Sequence, residues 1–364
     1  MDLLNGVMSL DWKDGIMFLI AAGLIYLAVV KGYEPMLLLP IGFGAILANI
    51  PFAAEEGLRP LHILREIGIG TELFPLLVFT GVGAMIDFGP LLKNPKMLLF
   101  GGAAQFGIFM TLSVAVLMGF SLKEAAAIGI IGAADGPTAI FVANKFAKDL
   151  VAPITVAAYT YMALVPIIQP PVIRLLTTKA ERRIRMDFYE QPVSKKVKIL
   201  FPIIVTFVAG LIAPASVSLV GFLMFGNLLR ESGVTDRLSK SAQNELVNIV
   251  TILLGITIGS TMTSDSFLNK QTLMIISMGL FAFVFDSAGG ILFAKVMNLF
   301  SKVKINPMIG AAGISAFPMA ARVIQREAQI ADPTNFVLMH AVSANVGGQI
   351  ASIVAGGLIL ALIH

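Results

Sequence analysis

One aspartate stands inside a run that otherwise belongs in a lipid bilayer, and a Gly-Pro pair follows it at once: Ala126-Ala-Ile-Gly-Ile-Ile-Gly-Ala-Ala-Asp135-Gly-Pro-Thr-Ala-Ile-Phe-Val-Ala143. A carboxylate at a bilayer centre costs about 2.5–3.5 kcal/mol on insertion scales. Proline removes a backbone donor and breaks the helix at the same point, which membrane depth tolerates only where the backbone is buried in protein or lines a cavity. The break frees carbonyl oxygens, Asp135 adds the formal charge, and Thr138 offers a hydroxyl. Hard oxygen donors of this kind suit an alkali cation. The alternative is an aspartate that merely caps the next helix, a task that Ser or Thr performs without the charge.

The rest of the chain agrees with a membrane setting. Of 364 residues, 57% are hydrophobic and 13% charged, against about 25% charged in soluble domains, and the mean hydropathy is +0.88. The pattern predicts an all-α polytopic membrane protein with about nine to eleven embedded segments. The clearest lie near 16–31, 35–51, 71–87, 97–119, 151–177, 199–230, 246–263, 272–300 and 334–363. Segments 123–148 and 305–330 are the most irregular, being rich in Gly and Pro. With no cysteine there is no disulfide or thiolate chemistry, and the histidines (His62, His340, His364) have no metal-ligand spacing. A net charge of +4 does not point to nucleic acid. The acidic N-terminus MDLLNGVMSLDWKDG is unlike a signal peptide. No Walker motif, Ser-His-Asp constellation or cofactor fingerprint occurs.

A central basic segment carries Arg174, Lys179, Arg182, Arg183, Arg185, Lys195, Lys196 and Lys198. The positive-inside rule places it in the cytoplasm, as a plain linker or as a docking surface for an acidic soluble partner. It separates two halves that echo each other at an offset of about 175–180 residues. Gly132-Ala-Ala-Asp-Gly-Pro-Thr-Ala-Ile-Phe matches Gly310-Ala-Ala-Gly-Ile-Ser-Ala-Phe, Ala152-Pro-Ile-Thr-Val-Ala-Ala-Tyr matches Asp332-Pro-Thr-Asn-Phe-Val-Leu-Met, and Phe79-Thr-Gly-Val-Gly matches Leu253-Leu-Gly-Ile-Thr-Ile-Gly. The expected organisation is a first repeat at 1–178, a linker at 179–198 and a second repeat at 199–364. An odd number of crossings per half would invert the repeats, the usual plan of secondary transporters, whose sites lie where broken helices meet.

The second break, Asn306-Pro-Met-Ile-Gly310-Ala-Ala-Gly-Ile-Ser315-Ala-Phe-Pro-Met-Ala-Ala-Arg322, has Ser315 at an expected helix start. Arg322 follows two turns later. It either snorkels to an interface or recognises an anionic substrate. Tyr161 offers a phenol that ligates or moves a proton, or it is an interfacial tyrosine. Asn345, in the region that matches the Tyr161 span, is a neutral oxygen ligand or a helix–helix hydrogen bonder.

GAADGPTAIF around Asp135, GNLLRESGVTDRLS at 226–239 and NPMIGAAGISAFPMAAR at 306–322 resemble the β subunits of the sodium-pumping biotin-dependent decarboxylases, which act on oxaloacetate, methylmalonyl-CoA, glutaconyl-CoA or malonate. The resemblance runs over nearly the whole chain, and its compact length is nearer the CoA-ester members. It implies a bacterial or archaeal multi-pass subunit of the cytoplasmic membrane that decarboxylates carboxybiotin, consumes a proton and exports Na+. It also implies three partners: a carboxyltransferase α subunit, a biotin carrier and a small membrane γ/δ subunit. A homo-oligomer with a scaffold and a moving core is expected. The family's sodium carboxylate falls on Asp135 and its functional tyrosine on Tyr161. The polar series falls on Asn306, Gly310, Ser315 and Arg322, and a further ligand falls on Asn345. The reading is that Asp135, with Asn345, Thr138 and backbone carbonyls, binds one Na+. Ser315 and Tyr161 hold a second ion or the exchanging proton, and Asn306 and Gly310 belong to the Na+ ligand set. Arg322 steadies carboxybiotin. Rival expectations are a stand-alone sodium-coupled carboxylate transporter and a non-catalytic membrane anchor.

Overall fold

The structure is a computed structural model that describes residues 8–51, 58–186 and 192–363, and among these it is helical with no strand. Its principal helices are α1 (Trp12–Val29), α2 (Pro35–Ala48), α3 (Leu73–Met85), α4 (Leu98–Ala104), α5 (Phe106–Leu117), α6 (Leu122–Gly129), α7 (Gly136–Phe146), α8 (Val151–Ala163), α9 (Val165–Leu176), α10 (Lys195–Ile212), α11 (Val217–Ser232), α12 (Val247–Ser260), α13 (Lys270–Phe300), α14 (Met308–Ala311), α15 (Met319–Ala331) and α16 (Leu338–Leu362). Local chemistry sets the ends. Asp11 and Asp14 form a capping box at the start of α1, and Asn269 accepts from the Thr272 amide at the start of α13. Gly233 takes the left-handed conformation that stops α11. Five helices of the described residues are long and apolar enough to cross a membrane, or seven if each of two bent pairs is one span. The bends are 63° between 59–70 and 73–85 and 68° between 148–163 and 165–176.

The two irregular segments of the sequence are two hairpins, α6–α7 and α14–α15. Both feet of the first lie by the start of α13: Glu124 and Gln271 line one small cavity, and Asn144 and Gln271 a larger one. Both feet of the second are tied to one turn after α9. The Asn306 amide donates to the Arg182 and Ile184 carbonyls (3.1 and 2.9 Å), and the Asn335 amide donates to the same two (3.2 Å each). That turn lies by the far end of α13, where Lys295 pairs with Glu181 at 3.1 Å. The hairpins therefore start at opposite ends of a helix about 45 Å long, at 1.5 Å per residue.

Helices of the two halves pack on each other by close backbone approach. At the α2–α12 crossing Gly44 lies on the backbone of Ile256 and Gly259. At the α3–α11 crossing Gly226 lies on Thr80 and Ala84, and Gly83 on Leu223.

The basic segment is largely engaged within the chain. Arg174 grips Glu327 of α15 through two 2.8 Å hydrogen bonds, Arg183 donates to the Ala331 carbonyl (2.9 Å), and Arg185 pairs with Asp332 (2.9 Å). Lys198 reaches Asp87 and Glu231 (3.3 and 3.4 Å). The Thr334 hydroxyl and Arg185 hold the Asp332 carboxyl down to about 2. Its contact is thus complete above the ordinary carboxylate value near 4 and fades only as pH falls toward 2. Glu327 is buried, with 4% of its side chain exposed, whereas Arg174 is 54% exposed. Arg174→Ala strands that carboxylate, and a loss of about 1–3 kcal/mol is expected, discounted for the solvent on Arg174. A melting curve of the purified chain reads it, and an unchanged midpoint would show the pair to be inert.

Candidate functional site

The hairpin tips meet. The Ser315 amide and hydroxyl both donate to the Ala133 carbonyl, at 3.0 and 2.8 Å. One residue on, Ala134 sits in the left-handed region with φ 52°, where a Cβ is strained. That turn swings Asp135 into the start of α7. There it is the helix cap and a buried carboxylate at once. Its Oδ1 accepts from the Thr138 amide (3.3 Å) and its Oδ2 from the Thr138 hydroxyl (2.7 Å) and the Ser352 hydroxyl (2.8 Å). The Ser315 side chain is also within reach of the carboxylate.

One face of α16 holds both tips. The Asn345 amide donates to the Ile314 carbonyl (2.6 Å), the Gln349 amide to the Ser315 carbonyl, and the Ser352 hydroxyl to Asp135. These positions are spaced i, i+4, i+7, a single helical stripe. The Asn345 Oδ1 is buried and has no hydrogen-bond partner among the described residues. The junction thus gathers one carboxylate, one unpartnered amide oxygen, three hydroxyls (Thr138, Ser315, Ser352) and the carbonyls of the broken segments. Such a set is all oxygen, the ligand class a hard monovalent cation takes.

The other expected residues stand around this junction in different ways. Gly310 lies on the backbone of Gly290 in α13, so closely that a methyl on either would overlap the other's carbonyl. Asn306 is at the foot of its hairpin, where its Oδ1 accepts from the Met308 amide (3.2 Å) and its amide grips the linker turn. Tyr161 turns away from the tips and donates to the Ile276 carbonyl of α13 at 2.5 Å, its ring against Gly279. Arg322 is exposed on α15. Burial pushes the carboxyl of Glu34, at the α1–α2 turn, upward, and the Arg322 charge partly opposes that.

Four residues that the sequence reading did not single out belong to the region. Gln349 and Ser352 complete the stripe, and their heptad-like spacing from Asn345 was the available signal. Tyr159, two residues before Tyr161 and on the opposite face of α8, presses its ring on Gly136 beside Asp135. Asp286 is a further buried carboxylate, 0% exposed, in the middle of α13. Its Oδ1 accepts from the Ile108 amide (3.1 Å), in the first turn of α5 after the break from α4, and its Oδ2 lies against Gly132. The criterion that found Asp135, an acid in an apolar run, also applies to Asp286.

The family model for the Na+-transporting oxaloacetate decarboxylase beta subunit matches residues 13–363. The chain belongs to that family. It is 53% identical over 362 residues to the glutaconyl-CoA decarboxylase subunit beta of Acidaminococcus fermentans, covering 99% of this chain and 96% of that one. It is 50% identical over 383 residues to the methylmalonyl-CoA decarboxylase subunit beta of Propionigenium modestum, with 98% and 97% covered. The probable oxaloacetate decarboxylase beta chain of Vibrio cholerae is 46% identical over 418 residues, with 98% and 96% covered. Membership rests on the whole length, so the broken segments, the stripe of α16 and the linker all lie within the matched region.

Proposed function

We propose that this chain is the membrane subunit of a sodium-translocating decarboxylase, which decarboxylates carboxybiotin, consumes one proton and exports Na+ across the cytoplasmic membrane of its cell. The observation that carries the reading is the tip junction: a buried carboxylate, ringed by hydroxyls, where two broken hairpins from opposite ends of α13 touch. Na+ sits at Asp135 with Asn345, Thr138 and neighbouring carbonyls, near Gly310 on the second tip. Ser315, with Tyr161, serves a second ion or the exchanging proton, and Asn306 fixes the hairpin that carries Ser315. Sodium and proton exclude each other because both neutralise the same carboxylate, and a bound cation shifts the equilibrium only between states that differ in affinity for it. Carboxybiotin, borne by a carrier partner, supplies the N–carboxyl bond whose cleavage releases CO2 with uptake of a proton. A guanidinium fits its carboxylate, and exposed Arg322 provides one.

The same reading organises the whole chain. Residues 1–178 and 199–364 form two inverted repeats around the linker at 179–198. This is supported by hairpins that start from opposite ends of α13, and by α2 packing on α12 as α11 packs on α3. The spans, the short α2 and the two hairpins support nine to eleven embedded pieces. The hairpins, α13 and α16 are the moving core, and α1–α3 with α10–α12 the scaffold, through which copies associate. The partners are a carboxyltransferase α subunit, which selects the acid or CoA ester, a biotin carrier and a small membrane γ/δ subunit.

The test is thermal melting of the purified chain against NaCl at constant ionic strength. A site for Na+ should stabilise it by RT ln(1 + [Na+]/Kd), about 2.7 kcal/mol at one hundred times Kd, and K+ should not substitute. A passive anchor predicts one melting curve for both salts, and that result would remove the proposal.

A further inference from the structure

Thr155 and Tyr159 are a pair that nothing in the site described so far employs. They lie one turn apart on one face of α8, and both are buried, 1% and 2% exposed. Neither hydroxyl has a hydrogen-bond partner among the described residues. Buried hydroxyls are nearly always paired, and an exception calls for a reason. Tyr159 stands at one end of the pair, its ring on Gly136 next to Asp135. Thr155 stands at the other and lines a cavity of about 650 Å³. Arg65, Glu66, Lys148 and Asp149 also line that cavity, and all four are exposed. Gln271 and Thr272 of α13 border it too, so it opens at the end of α13 away from Lys295 and the basic linker.

From this arrangement we infer that Thr155 and Tyr159 line the route by which the cation held at Asp135 passes to the side of the molecule opposite the basic linker, an inference that rests on the sodium reading of Asp135. The two unpartnered hydroxyls are carried by residues one helical turn apart on α8. They offer a partly dehydrated monovalent cation successive neutral ligands between the carboxylate and the solvated cavity. Neutral hydroxyls hold a cation weakly enough to release it, whereas a second carboxylate on the route would trap it. Tyr161, on the opposite face and bonded to Ile276, has no part in the route.

Because the chain has no cysteine, Thr155→Cys gives a single thiol. In the full-length chain, reconstituted in sealed vesicles of known orientation, that thiol should react with a charged, membrane-impermeant methanethiosulfonate from the side opposite the linker and not from the linker side. In holoenzyme vesicles, Thr155→Val and Tyr159→Phe should each lower the initial rate of sodium transport at least fivefold and keep the sodium-dependent melting shift of the wild type. A thiol unreactive from the cavity side, or wild-type transport in both hydroxyl-deleted variants, overturns the route. Absence of a sodium shift in the wild-type chain overturns the Asp135 reading instead, and thiol labelling is read without sodium, so the two failures are told apart.

Discussion

Asp135→Asn should leave the chain folded and take away its response to sodium. The amide oxygen takes the place of Oδ1 and still accepts from the Thr138 amide, so the cap of α7 survives, while the amide NH2 takes the place of Oδ2 and donates to the Thr138 and Ser352 hydroxyls, which turn to accept. What disappears is a buried charge. Without sodium the variant should melt no lower than the wild type, because burying an ionised carboxylate is costly and burying an amide less so. With sodium, the interaction of a cation with a charged ligand is lost, worth about 1.5–3 kcal/mol or roughly 10- to 150-fold in apparent affinity. Sodium-dependent decarboxylation by the reconstituted complex should fall by at least that factor at limiting sodium. The opposite signs of the two effects make the experiment decisive. If Asp135 were only a cap, Asn would replace it with little change in stability and sodium dependence would be kept, and that outcome would refute the site.

Gly310→Ala should do the reverse and damage the fold at the junction. Gly310 and Gly290 meet backbone to backbone, so no side-chain rotamer can move aside for a methyl. Overpacking of this kind costs about 1–3 kcal/mol. The strain is relieved only by lifting α14 from α13, which pulls Ser315 from the Ala133 carbonyl. Lower melting and a weaker sodium shift should therefore appear together. Gly290→Ala should have the same effect from the other side, and the double variant should depart from the sum of the two, as touching sites do. Wild-type melting in both single variants would show that the approach is loose.

The sequence made some parts of this site legible and hid others, for definite reasons. A carboxylate followed by Gly-Pro in an apolar run is locally anomalous, so Asp135 and its break could be read directly. The second break was found because it echoed the first. Long-range backbone proximity has no such mark, and nothing in the chain announces that Gly310 rests on Gly290 or that Ser315 reaches Ala133. Tyr159 and Tyr161 show the limit of residue-level reading. Both lie in one apolar helix, yet a step of two residues turns the side chain by about 200°, so one faces the hairpin and the other faces α13. Asn306 and Asn345 are similarly alike in sequence terms, but one sits at the foot of a hairpin and the other against its tip. The basic segment drew attention as a surface, whereas Arg174, Arg183 and Arg185 spend their charge and donors on α15 and its end.

The shared grip of Asn306 and Asn335 on the Arg182 and Ile184 carbonyls has a mechanical meaning. A hairpin pinned at both feet to one turn cannot slide along its axis without breaking that clasp, but it can pivot about it. The 13 residues of α15 make a lever arm of about 20 Å. A swing of about 10° about the clasp would carry the tip some 3 Å, by simple trigonometry on that length. That distance is about the separation of a cation from a ligand it has just released, so a small pivot at the linker end suffices to open or close the oxygen cage around Asp135.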